Sequence, residues 1–232
     1  MSPRRSIATG KNVGIRYEHH INQLLKKKGF QSKETESAGA TDSPNGFIRY
    51  QSIDYPIEIK KDLSADFAQI ELRWDIKKRF FYSQGSKNEE FIAILRREKF
   101  LDEINSKWTG TPHKFTRRFL TTNDRHRDLD EFPDIKREIR ANLIEQFYNS
   151  KKPPINYIQI GGYGFYCMGN DIAGLGVPRL VGGGILRARV KTRDSRKNRY
   201  GFLVAIKLRT LKRSKYDIEE KNGRIFPFEK SG

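Results

Sequence analysis

The run Tyr55-Pro56-Ile57-Glu58-Ile59-Lys60 alternates apolar and polar side chains. In a strand, residues i and i+2 project from one face, so Glu58 and Lys60 would hold a carboxylate and an ammonium side by side. Phosphodiester hydrolysis assisted by a divalent metal needs that cation beside the attacking water and the phosphate, and carboxylates close enough to share one hard metal ion. Asp42 lies sixteen positions before Glu58, beside the turn cluster Ser43-Pro44-Asn45-Gly46, and can supply the second carboxylate from a neighbouring strand. Asp54 competes for that role from the start of Glu58's own strand, on the same face but displaced along the chain, which favours Asp42 without excluding Asp54. Acid-x-Lys triplets occur four times: Glu58-Lys60, Asp75-Lys77, Asp134-Lys136 and Glu219-Lys221. Only the first has β-branched residues around the acid and a turn aspartate upstream. The plainer alternative is a solvent-facing strand with an ordinary turn residue before it.

The elements that must position these groups can be read from spacing. Residues 12–28 carry Tyr17, Ile21, Leu24 and Leu25 at helical intervals, with Gly29 as a stop, which predicts an amphipathic helix. Glu18 falls at the edge of its apolar stripe, beside Leu25, instead of on the wet side. Residues 47–53 and 55–61 read as strands, while 65–74 fits either a helix or a strand. Residues 87–108 and 133–149 show helical apolar spacing, the second through Ile135, Ile139, Leu143 and Phe147. They bracket a charged connector and suggest a mainly helical insertion at about 84–150. The last third turns to glycine-punctuated strands at 157–160, 165–168, 185–193 and 202–211.

The 232 residues contain 46 Lys and Arg against 28 Asp and Glu, a net charge of +18. Such a charge points to a polyanion, with nucleic acid first. Between Arg179 and Lys215 stand thirteen basic residues and a single acid, Asp194, so this stretch alone carries +12. Within it Arg187, Arg189, Lys191 and Arg193 alternate with Leu186, Ala188, Val190 and Thr192, which would line one strand face with cations about 7 Å apart, close to phosphate spacing along DNA. Tyr163, Phe165 and Tyr166 could stack on bases, but near glycine turns aromatics more often belong to the core.

The helix bearing Glu18, the segment Ala38-Gly39-Ala40-Thr41-Asp42, the strand ending Glu58-Ile59-Lys60, and Gln69 together resemble the PD-(D/E)xK nuclease superfamily, over roughly residues 12–75. The resemblance implies an α/β fold in which a mixed central sheet flanked by helices, a restriction-endonuclease-like core, carries a helical insertion and a C-terminal β-rich region at about 155–215. All of this would form a single nuclease domain. It implies that Asp42 and Glu58 hold Mg²⁺, with Mn²⁺ as the alternative metal, that Lys60 positions or activates water, that Glu18 supports the site, and that Gln69 assists. The expected activity is endonucleolytic cleavage of duplex DNA, with Arg187, Arg189, Lys191 and Arg193 as the DNA-binding face. Cutting two strands usually takes two sites, which is compatible with a homodimer. The alternatives are a nucleic-acid-binding protein without catalysis and an RNA-cleaving enzyme with the same site.

Other classes find less support. No apolar run exceeds five residues, so no membrane helix is expected, and the pair Arg4-Arg5 is not followed by the apolar stretch of an export signal; a cytoplasmic protein is the expectation. Cys167 is the lone cysteine, which leaves no internal disulfide and no thiolate zinc site. His126-Arg127-Asp128-Leu129 and Val204-Ala205-Ile206-Lys207 copy kinase motifs in the wrong chain order, and Gly162-Tyr163-Gly164 lacks the third glycine of a dinucleotide loop. His19, His20, His113 and His126 have no spacing that favours a metal over solvation.

Overall fold

The computed structural model describes residues 10–32, 44–83 and 89–228; Asp42 lies outside them. The fold is mixed α/β, with several sheets and six α-helices among the described residues, and no described helix is long and apolar enough to cross a membrane. The chain divides into two compact units, the first formed by Met1–Ala65, Tyr148–Gly182 and Thr210–Gly232, the second by Asp66–Phe147 and Gly183–Arg209.

The first unit is built on a four-stranded sheet of β1 (Gly46–Tyr50), β2 (Ile53–Lys60), β7 (Tyr157–Ile160) and β8 (Gly164–Cys167), in that spatial order. β2 runs antiparallel to β1 and parallel to β7, so the sheet is mixed. Helix α1 (Gly10–Lys28) buries Ile21 and Leu25 against Ile48, Ile57, Ile59, Tyr157 and Phe165. The alternation expected for β2 is present: Ile57 and Ile59 enter this core, and Glu58 and Lys60 take the other face. A buried polar seam ties the C-terminal segment to the sheet, with Gln159 donating to Asp217 at 2.8 Å and accepting from the Ile218 amide, and Arg224 pairing with Asp217 at 3.0 Å.

The second unit holds the sheet β3 (Ala68–Glu71), β10 (Arg199–Leu211), β9 (Gly182–Asp194) and β6 (Ile135–Arg140), in that order, and the hairpin β4 (Arg73–Asp75) with β5 (Phe80–Tyr82). The stretch 65–74, undecided in sequence, is therefore not a helix but supplies β3 and the start of β4. Its helices are α2 (Glu89–Arg97), α3 (Phe100–Lys107), α4 (His113–Thr116), α5 (Thr122–Glu131) and, running on into the first unit, α6 (Asn142–Asn149). The aromatic core comprises Phe81, Trp108, Phe132 and Phe202, with ring centroids 5.1 to 5.8 Å apart.

Two helical expectations are corrected. The helix read over 87–108 is broken at Lys99, whose φ of 53° is left-handed and ends α2 before α3 begins. The helix read from 133 starts only at Asn142, because residues 135–140 pair antiparallel with β9. Ile135 and Ile139 lie four apart, a spacing that satisfies both a strand and a helix. The residue between them that would have settled the period is Arg137, which sits inward over the Phe100 ring and pairs with Glu103 at 2.5 Å, so charge hid the alternation.

Asp128, fully buried, fastens α4 and α5 to β10. Its carboxylate accepts from the His113 and Lys114 amides at 2.8 and 2.9 Å and from the Tyr200 hydroxyl at 2.7 Å. Removing a buried acceptor strands its donors. Asp128→Ala should lower the free energy of unfolding by about 3 kcal/mol and Tyr200→Phe by about 1 kcal/mol, measured by denaturant titration.

Candidate active site

β1 begins late. Gly46 pairs with Ile57, leaving residues 58–60 of β2 without a β1 partner. Asn45 takes over that edge: its amide donates to the Ile57 carbonyl at 3.0 Å, and its side-chain oxygen accepts from the Ile59 amide at 3.0 Å. Asn22 on α1 donates to the Asn45 carbonyl at 2.9 Å and so ties the helix to this corner. Glu18 precedes Asn22 by four residues and therefore shares its line on the helix. Glu18 Oε2 and Asn22 Oδ1 are buried oxygens with no hydrogen-bond partner among the described residues.

On β2, Lys60 Nζ lies 2.6 Å from Glu58 Oε1, and Glu58 is only 5% exposed. The Tyr148 hydroxyl, in the last turn of α6, hydrogen-bonds to Glu58. Burial raises the Tyr148 phenol well above its ordinary value, and the charges of Glu58 and Glu18 push the same way. Burial also raises the Glu18 carboxyl, the Lys60 ammonium opposes that rise, and Glu58 adds to it. Glu18, Glu58 and Lys60 thus lie within electrostatic reach of one another. At the end of β2, β7 comes close: the Gly161 amide donates to the Lys60 carbonyl at 2.9 Å, and a Cβ at Gly161 would lie 2.1 Å from the Lys61 carbonyl oxygen. Only glycine permits that approach. Beside it opens a cavity of about 440 Å³ lined by Arg16, His20, Lys61, Lys221 and Glu219, among others.

Of the residues singled out in sequence, the structure brings Glu18, Glu58 and Lys60 together. Asp42 lies outside the described residues, three positions before Asn45. Asp54 is held by Arg49 in a two-pronged cross-strand pair at 2.8 and 3.1 Å. Gln69 stands on β3 of the second unit, opposite Ala205. Among the described residues no group of three or more His, Cys, Asp or Glu side chains is arranged to hold a metal. The donors that are present, two carboxylates with one buried and unpartnered oxygen, are hard ligands of the kind Mg²⁺ takes. Tyr148, Asn22 and Asn45 were not found by sequence reasoning. The i, i+4 relation of Glu18 and Asn22 was a usable signal; nothing local marked Tyr148.

In the second unit the four cations of β9 do share one face, as their alternation with buried Leu186, Ala188 and Val190 requires. They are also engaged. Arg187 pairs with Asp134, Arg189 and Lys191 approach Asp66 at 3.8 and 3.9 Å, Lys207 of β10 meets Asp66 at 2.9 Å, and Arg193 meets Glu71 at 2.8 Å. Phe165 and Tyr166 are core residues.

No family model, curated protein or solved structure matches this chain.

The raised Glu18 carboxyl has a consequence for stability. A group whose folded pKa exceeds its unfolded value contributes stability that is full below the unfolded pKa and is lost as pH rises through the folded one. Glu18→Gln should therefore stabilise the protein at neutral pH, and the gain should vanish in acid below the ordinary glutamate range. Urea denaturation of both proteins at the two pH values measures the difference.

Proposed function

We propose that this protein is a Mg²⁺-dependent nuclease that cleaves phosphodiester bonds within duplex DNA. The observation that carries this reading is the buried Glu58–Lys60 pair with the desolvated Glu18 carboxylate beside it. A pair made only for stability would not need a second carboxylate with an unpartnered oxygen in reach, because a desolvated charge of that kind is costly. The +18 charge supplies the attraction for a polyanion.

In this reading Glu58 and Asp42 hold the metal, which when bound supplies Lewis acidity and a more acidic water. Tyr148 fixes the Glu58 carboxylate by donating to one of its oxygens. Lys60 is positioned to stabilise negative charge developing on the phosphate, and the low-polarity surroundings strengthen its field. Glu18 orients the groups on the α1 side of the site. The cations of β9 exchange their carboxylate partners for DNA phosphates.

Cleavage of supercoiled plasmid by the full chain, with Mg²⁺ and with chelator, tests the proposal. Glu58→Gln should reduce the rate on the order of 10³-fold while DNA binding in Ca²⁺ persists, and Tyr148→Phe should reduce it about tenfold. Undiminished cleavage by Glu58→Gln would refute the site. Full activity of Asp42→Asn with loss in Asp54→Asn would transfer the first carboxylate to Asp54. Metal-independent retention of DNA by a chain that never cuts would leave a binding protein, and preferential cleavage of RNA would change the substrate.

A further inference from the structure

Phe119 is 77% exposed, the highest value among the large apolar side chains described, and it stands between two helices of the second unit. It is not on a loose excursion. The Thr121–Asp124 capping box starts α5 two residues later, and the turn joining β9 to β10 holds the loop from the other side: Asn198 donates to the Leu120 carbonyl at 3.3 Å and accepts from the Thr122 hydroxyl at 3.3 Å. The short loop is thus fixed at its base with the aromatic ring directed outward.

The charge around that ring differs from the charge along β9. Arg117 and Arg118 precede Phe119, and the Arg118 guanidinium lies 5.3 Å from its ring centroid. The tether through Asn198 adds the exposed Arg196, Lys197 and Arg199. None of these five cations forms an ion pair among the described residues, whereas the β9 cations all face carboxylates. The cation track of β9 leads from Arg187 through Arg193 to this turn, so paired charge gives way to unpaired charge at the aromatic tip.

We propose that the Phe119 loop is a wedge that inserts against a base step of duplex DNA while its flanking cations grip the adjacent phosphates. A partner for an exposed aromatic ring ringed by cations must offer flat apolar faces edged by anions, and a nucleic acid does so. The proposal rests on DNA as the partner of the proposed nuclease, but it makes no use of the metal site.

Trp74 and Trp108 are buried, so Phe119→Trp introduces the one surface indole among the described residues. That variant, in a Glu58→Gln background, is titrated with a fluorescein-labelled 20-base-pair duplex, following indole emission and duplex anisotropy together. The expected result is quenching of the indole in step with binding. Phe119→Ala should bind the duplex about tenfold more weakly with an unchanged salt slope, while Arg118→Ala lowers the slope by about one. Binding of the duplex with unaltered emission, and unchanged affinity for Phe119→Ala, would overturn the wedge and leave the DNA-binding reading intact. Failure of the parent chain to bind any duplex would overturn both. Quenching in this background, together with a chain that keeps Glu58 yet never cuts duplex in Mg²⁺, would sustain the wedge and remove only the nuclease assignment. Emission that shifts with protein concentration without DNA would show that the ring packs on a second copy, and so overturn the wedge.

Discussion

Because β1 begins only at Gly46, opposite Ile57, the last three residues of β2 pair with β7 along one edge and with no described strand along the other, and the rest of the candidate site follows from that open edge. An unpaired edge next to a core has to find hydrogen bonds elsewhere. Asn45 provides one of them through its side-chain oxygen, which accepts from the Ile59 amide, and its own carbonyl accepts from Asn22. Glu18 is then one helical turn from a fixed point, within electrostatic reach of Lys60.

The energetics oppose the arrangement as much as they support it. Glu58 and Lys60 compensate each other at 2.6 Å, and the Tyr148 hydroxyl takes a further lone pair of the carboxylate, so this pair is well solvated by the protein. Glu18 is not. Its burial is the largest influence on its protonation, and one oxygen has no partner among the described residues. Such local conflict in an otherwise consistent structure is where function is most often found, since stability alone would have removed it. Asp128 shows the contrast: it is more deeply buried than Glu18, yet its carboxylate is fully engaged in holding two helices and a strand in place.

What could be read in the sequence was what depends on local period. α1 and β2 were legible because their apolar residues repeat at spacings that belong to one structure only, and the same spacing placed Glu58 and Lys60 on one face and Glu18 at the edge of a stripe. β6 was not legible, because Ile135 and Ile139 fit both periods and Arg137 carried its charge inward. Tyr148 could not have been found, since it meets Glu58 across ninety residues of chain that form most of another unit. The carboxylates facing the β9 cations have the same character. Asp66 and Glu71 come from more than a hundred residues upstream, so a count of charge within one segment overstated how much of it faces solvent unpaired.

That correction bears on where a polyanion would gain most. Along the ladder, Arg187, Arg189, Lys191, Arg193 and Lys207 meet Asp66, Glu71 and Asp134, so five cations against three carboxylates leave a local charge of +2. A phosphate arriving there must displace a carboxylate that already satisfies the cation, and the exchange returns little beyond the released counterions. At the Phe119 loop the five cations have no such partners among the described residues, and each phosphate contact would add its full share. The two regions therefore suit different tasks. The ladder, pre-ordered by its ion pairs, holds its side chains in register at low cost in rotamer freedom and favours alignment of a backbone. The loop, with unpaired charge and an aromatic face, favours capture. With duplex DNA as the proposed partner, a sheet that aligns and a loop that captures would bind without reading sequence, since neither the ladder nor the ring asks anything of base identity.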